Sequence, residues 1–161
     1  MNEIEYINEE LSLCKKLQSI EFHQNQISFL PESLSKLKRL KRLNLGYNQL
    51  RELNGNWFKF KSLVELNLEC NQIISIPNEV CEMKTLKSLI LTNNQIKEMP
   101  ENLVNLMNLE LLVLSGNSLE SLPESITRLK QLKTLIFTDN LFSFQEKVKI
   151  KKSLRACDIV F

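Results

Sequence analysis

Five residues carry most of the reactive chemistry open to this chain: Cys14, Cys70, Cys81, Cys157 and the single histidine, His23. A thiol can serve as nucleophile, metal ligand or disulfide partner, and an imidazole as base or ligand. A structural or catalytic zinc site needs three or four such groups at bonding distance. Around His23 the candidates are Glu21, two residues earlier, and Glu69, much further along the chain. That set is too small, so no metal is expected, and His23 reads as an exposed polar contact residue. No Ser–His–Asp arrangement, Gly-rich phosphate loop or paired carboxylate site is visible. The enzymatic route left is a nucleophile at Cys70 or Cys157, and nothing beside Cys70 in the sequence argues for an activated thiol. The residue types point away from catalysis and call for no cofactor.

The bulk properties agree. The chain has 161 residues, 43% hydrophobic and 25% charged, with a net charge of +2 from 21 basic and 19 acidic groups. That suits one soluble domain with a core and supplies no global field to draw nucleic acid or anionic membrane. No apolar run approaches the ~18 residues of a membrane span. The acidic start, "MNEIEYINEELSLCKK", lacks the basic and apolar segments of a signal peptide. This predicts a cytoplasmic location, or a secreted or cell-surface one if a leader has been removed.

What positions these residues is a repeat. Leucine opens a unit at Leu17, Leu40, Leu63, Leu86, Leu109 and Leu132, always 23 residues apart. Three residues on come Ile20, Leu43, Leu66, Leu89, Leu112 and Leu135, and two further Phe22, Leu45, Leu68, Leu91, Leu114 and Phe137. Asparagine recurs at Asn25, Asn48, Asn71, Asn94, Asn117 and Asn140, followed two residues later by an apolar group. Alternating apolar residues mark a short strand with one buried face, which a single unit cannot cover, so units must stack with parallel strands. The Asn amide can satisfy the backbone groups of the turns it lies between. The second half of most units reads like "LPESLSKLKR", with Pro and Glu opening a short helical or 3-10 segment.

The spacing LxxLxLxxNxL, in register over six units, resembles the leucine-rich repeat family. The expected fold is α/β: a right-handed leucine-rich-repeat solenoid, a short horseshoe arc with its parallel sheet on the concave face and short helices or 3-10 segments on the convex face. A single domain is expected over 1–161. It divides into an N-terminal helical cap (1–16), six repeats (17–142, starting at 17, 40, 63, 86, 109 and 132) and a C-terminal helix and strand cap (143–161). In the first cap Ile4, Ile7, Leu11 and Cys14 are expected inward. In the second, so are Phe144, Val148 and Leu154 of the helix and Cys157, Ile159 and Phe161 of a closing strand. The Lys-rich helix and Cys-containing strand resemble the ending of bacterial 23-residue repeat proteins of the spirochaete type. In the second unit Pro is replaced; Trp57 and Phe60 are expected in the core and Phe58 outside it.

With that geometry Cys14 and Cys157 lie at opposite ends, many times the ~6 Å Cα spacing of a disulfide apart, and Cys70 and Cys81 on opposite sides of one unit. No disulfide is expected. Cys14 and Cys157 read as buried structural thiols. The absence of Cys-clustered caps favours a reducing compartment or a bacterial origin.

Function then falls to the strand positions between the fixed leucines. One column reads Glu21, Asn44, Asn67, Ile90, Val113, Ile136; another reads Ser19, Arg42, Glu65, Ser88, Leu111, Thr134. Two residues beyond the first column lie His23, Gly46, Glu69, Thr92, Ser115 and Thr138, then Tyr47 and Cys70 at the rim. The first three strands therefore present polar groups, and the last three present Ile90, Leu111, Val113 and Ile136 bordered by uncharged residues. An apolar patch of this kind marks a contact site. The reading is a non-catalytic module binding a protein or peptide on its concave face. Its contact residues are Ile90, Leu111, Val113, Ile136, Glu21, His23, Asn44, Tyr47, Glu65, Asn67 and Glu69. No nucleic acid and no membrane insertion are expected. The family resemblance implies contact with host proteins if the bacterial subtype holds. The alternative is a structural self-association or intracellular scaffold module, with the oligomeric state, monomer included, left open.

Overall fold

A computed structural model describes residues 2–54 and 58–161. Seven three-residue strands form one sheet in chain order: β1 Ser19–Glu21, β2 Arg42–Asn44, β3 Glu65–Asn67, β4 Ser88–Ile90, β5 Leu111–Val113, β6 Thr134–Ile136 and β7 Asp158–Val160. Every neighbouring pair is parallel. The central residue of each strand points into the core, and Leu89, Leu112 and Leu135 have no exposed surface. Short 3-10 segments return the chain along the other side at Glu9–Leu13, Glu32–Lys36, Asn78–Glu82, Glu101–Asn105 and Glu124–Arg128. Pro31, Pro77, Pro100 and Pro123 sit one residue before these segments, as N-caps in extended conformation. The ring fixes φ for the turn, and a Glu in the first turn of each favours the start electrostatically.

The asparagines hold the stack together. Asn94 Nδ2 donates to the carbonyls of Leu68, Leu91 and Thr92, at 3.0, 3.0 and 3.2 Å, and its Oδ1 accepts from Ile73 N–H at 3.0 Å. Asn48, Asn71 and Asn117 repeat this four-bond pattern, and each is buried. Each amide ties its own turn to the unit before it. Asn25, at the first unit, bonds instead to Ile4 N–H, Phe22 O and His23 O.

The ends differ from expectation where neighbours run out. Ile7 is buried, but Ile4 is 40% exposed, and Cys14 is exposed although its counterpart Leu37 is fully buried. No preceding unit covers that edge among the described residues. At the other end α1, Phe144–Ser153, is capped by Ser143, whose Oγ accepts from Glu146 N–H at 3.1 Å. Its inward residues are Ile150 and Leu154; Val148 is half-buried, and Phe144, placed inward by the sequence pattern, is 81% exposed because at ~100° per residue it lies off the helix face that docks through Ile150 and Leu154. The closing strand forms as β7. Cys157 and Ile159 are half-buried against the core rather than sealed in it, and the partly exposed Phe161 meets Phe137 edge-on with ring centroids 5.2 Å apart. In the second unit Phe58 departs from expectation and Phe60 does not. Phe58 is buried beside Phe60, while Trp57 lies outside the described residues.

Two measurements check this packing. Asn94→Ala strands several buried backbone groups and should cost about 3 kcal/mol in urea unfolding, with Asn25→Ala costing less. Phe58→Ala should cost about 3–5 kcal/mol and Phe144→Ala under about 0.5 kcal/mol; comparable losses would refute the packing described.

Candidate functional site

Because the strands pair without slippage, side chains that leave the core face line up in columns. One runs Glu21, Asn44, Asn67, Ile90, Val113, Ile136 and Val160, each in register with the next. The parallel column runs Ser19, Arg42, Glu65, Ser88, Leu111, Thr134 and Asp158. Ile90, Leu111, Val113 and Ile136 are half-buried by one another. The C-terminal segment does not fold over them. It pairs beside them and lengthens their column with Val160, which is 47% exposed. Val160 was missed in the sequence, although alternation offered the signal: if Cys157 and Ile159 face inward, Asp158 and Val160 face out.

The polar half is pre-set by local hydrogen bonds. Asn44 Oδ1 accepts from Gly46 N–H at 3.1 Å, and Asn67 Oδ1 from Glu69 N–H at 2.9 Å. Asn67 Nδ2 donates to Glu69 Oε1 at 3.0 Å, and Ser19 Oγ to Glu21 Oε1 at 3.1 Å. Glu69 lies across Gly46, where a Cβ would stand 2.9 Å from Glu69 Cγ. A side chain at position 46 would displace that carboxylate. His23 is exposed beyond the end of β1 and joins no cluster of metal-binding groups; among the described residues there is none.

At the strand ends the chain turns through a left-handed residue in every unit: Gln24, Tyr47, Cys70, Asn93, Gly116 and Asp139, with φ between 50 and 65°. Gly, Asn and Asp in that column were the available signal. The turn carries Tyr47, half-exposed, to the rim beside Cys70 and Glu69. A hydrogen bond to Cys70, then the Cys70 and Glu69 charges, raise the Tyr47 phenol above its ordinary range. Asn93 Nδ2 approaches Cys70 Sγ at 3.5 Å.

Two of the other thiols are held toward the protonated form. Burial pushes Cys81 up to about 11, and burial with the neighbouring Asp158 charge raises Cys157. All four cysteines are free.

Charge is handled differently on the two halves. Before β4, β5 and β6, Lys87 and Lys133 both pair with Glu110, which lies between them. These hydrogen bonds, Lys133 first, hold the Glu110 carboxyl down to about 2. Among the described residues Glu21, Arg42 and Glu65 form no ion pair. At the junction of the halves lies a shallow hollow of about 180 Å³, walled by Glu21, Arg42, Glu65, Asn67, Ser88 and Ile90.

The leucine rich repeat family profile matches residues 38–96 and 84–142. No curated protein sequence matches the chain. Among solved structures, a leucine-rich repeat protein of Leptospira interrogans is 30% identical with a TM-score of 0.63 over 99% of this chain. The match spans 53%, about half, of that protein. The ectodomain of the plant receptor kinase GASSHO1/SCHENGEN3 from Arabidopsis thaliana, solved in complex with Casparian strip integrity factor 2, is 28% identical with a TM-score of 0.77. That alignment covers 86% of this chain and 17% of the ectodomain chain.

The Glu110 pairs predict a pH dependence. Its folded pKa lies below the ordinary carboxylate value, so its contribution is present above about pH 4.5 and fades as pH falls toward 2. Glu110→Gln should lower Tm at pH 7 in low salt. The melting temperatures of variant and parent should converge on acidification; a constant gap from pH 7 to 2.5 would contradict the pairing.

Proposed function

Since the chain belongs to the leucine-rich repeat family, whose domains generally serve as protein-interaction modules, we propose that it is a non-catalytic recognition module binding a protein or peptide along its concave wall. The observation that carries this is the in-register column Ile90, Val113, Ile136 and Val160, with Leu111 beside it, open on the face away from the core. β-branched residues suit strands, but the first three strands use Glu and Asn at the same positions, so strand propensity does not require the aliphatic run. Covering ~200 Å² of aliphatic surface is worth ~5 kcal/mol before association costs, enough to anchor a partner. The plant ectodomain solved with a bound factor accords with ligand binding by a solenoid of this build. For this chain the partner is a separate protein, and likeness to a Leptospira protein keeps host proteins among those to be tried.

The test compares cross-linked capture by the parent, Ile90→Asp/Val113→Asp, Val160→Asp and the convex control Thr127→Asp, each first shown to melt at the parent's temperature. Captured partners should fall roughly tenfold or more with the wall variants and persist with the control. An unchanged partner set would remove the wall from recognition. A wall variant that only dissolves self-association in sedimentation would make the surface a seam between copies instead.

A further inference from the structure

The two halves of the wall differ in charge state as well as in polarity, and this limits the chemistry of what can lie across both. On the C-terminal half Glu110 is bonded to both Lys87 and Lys133, and the exposed Asp158 flanks the last strand, while the column Ile90, Val113, Ile136 and Val160 itself carries no charged side chain. On the N-terminal half Glu21, Glu65 and Glu69 stand with Arg42 among them and Lys41 just before β2, and no ion pair joins them among the described residues. Glu21 and Glu69 are held in place by Ser19 and Asn67, which orients carboxylates without neutralising them. The hollow between β1 and β4 is bordered by two of these acids and ends at Ile90, the first aliphatic residue. Tyr47 sets a half-exposed ring next to Glu69, on which a guanidinium can stack.

We infer that the ligand is an extended polypeptide segment in two parts, with Lys or Arg side chains over Glu21, Glu65 and Glu69 and aliphatic side chains along Ile90, Val113, Ile136 and Val160. This rests on the recognition role proposed above and names the kind of segment recognised. The chemical columns run across the strands, so the segment crosses them too. Seven strands at ~4.8 Å spacing span ~29 Å, which an extended chain at ~3.3 Å per residue covers with about nine residues. Glu21 and Glu65 are two strands apart, ~10 Å, within reach of long cationic side chains about two or four residues apart, the spacings that an extended segment presents on one face. An acidic segment would meet three carboxylates against Arg42 and Lys41. A wholly apolar one would desolvate those carboxylates without replacing their water.

A random twelve-residue peptide library displayed on phage, selected against the full chain, tests this. Selected peptides should carry Lys or Arg in one half and Ile, Leu or Val in the other. For a synthetic copy of the leading peptide, Glu21→Gln/Glu65→Gln should weaken binding roughly five- to tenfold at low salt and much less at high salt. Selection against that variant should lose the basic preference and keep the aliphatic one. Val113→Asp/Ile136→Asp, checked for an unchanged melting temperature, should abolish binding. Peptides that are aliphatic only, yet lost with Val113→Asp/Ile136→Asp, would overturn the two-part ligand and leave concave recognition standing. Peptides indifferent to both variants, or an empty selection, would overturn the two-part ligand. Whether the recognition reading falls with it is then decided separately by the protein capture experiment.

Discussion

The structure depends on one buried amide per turn. Each asparagine from Asn48 to Asn117 places its NH2 among three carbonyls, one of them in the preceding unit, and takes an N–H from that same unit with its oxygen. Leucines alone would let neighbouring units slide, since apolar contact is not directional. Hydrogen bonds are directional, and leaving them unmade in a dry interior is costly. The amide therefore sets the offset between turns, and that offset aligns every strand residue with its counterpart in the next unit.

Alignment has a functional consequence. With register fixed, a substitution between two anchors changes one site in an outward column and leaves the core untouched. Chemistry on the wall can thus vary strand by strand, as it does from Asn67 to Ile90 across β3 and β4. The left-handed turn extends the same freedom to the rim. Its backbone is held by the inter-unit hydrogen bonds of the strands' exits, such as Tyr47 N–H to Glu69 O at 2.8 Å and Cys70 N–H to Thr92 O at 2.8 Å. This support lets Tyr47 and Cys70 occupy a conformation that glycine and asparagine adopt more readily.

The repeat was legible because its residues answer to a local rule that recurs. The leucine positions, the asparagine ladder and the outward columns are read directly from spacing. What escaped lies where recurrence stops. Cys14 has the sequence position of a core residue, but burial there depends on a neighbouring unit and not on its own surroundings in the chain, and among the described residues it is exposed. Phe144 opens the C-terminal helix, and only the helix's docking through Ile150 and Leu154 decides which face is covered. Phe58 and Phe60 are both aromatic in a unit lacking the usual proline, and the pattern alone did not show that position 58 turns inward. Of the candidate site, the aliphatic residues were identified from the column, whereas Val160 required knowing that the tail adds a strand in register with β6.

The charge arrangement was the least legible feature, and the reason is arithmetic. A net charge of +2 sums over groups that never meet. Lys87, Glu110 and Lys133 occupy the same position in three successive units, so one column places them in contact, two cations on one carboxylate. Arg42 and Glu65 are likewise in register in one column, with Glu21 in the other, yet no ion pair forms among them. Composition counts both sets alike. Register brings opposite charges level in both places, but only Lys87, Glu110 and Lys133 close into ion pairs, so a surface with a small net charge still keeps unpaired acids beside an aliphatic column.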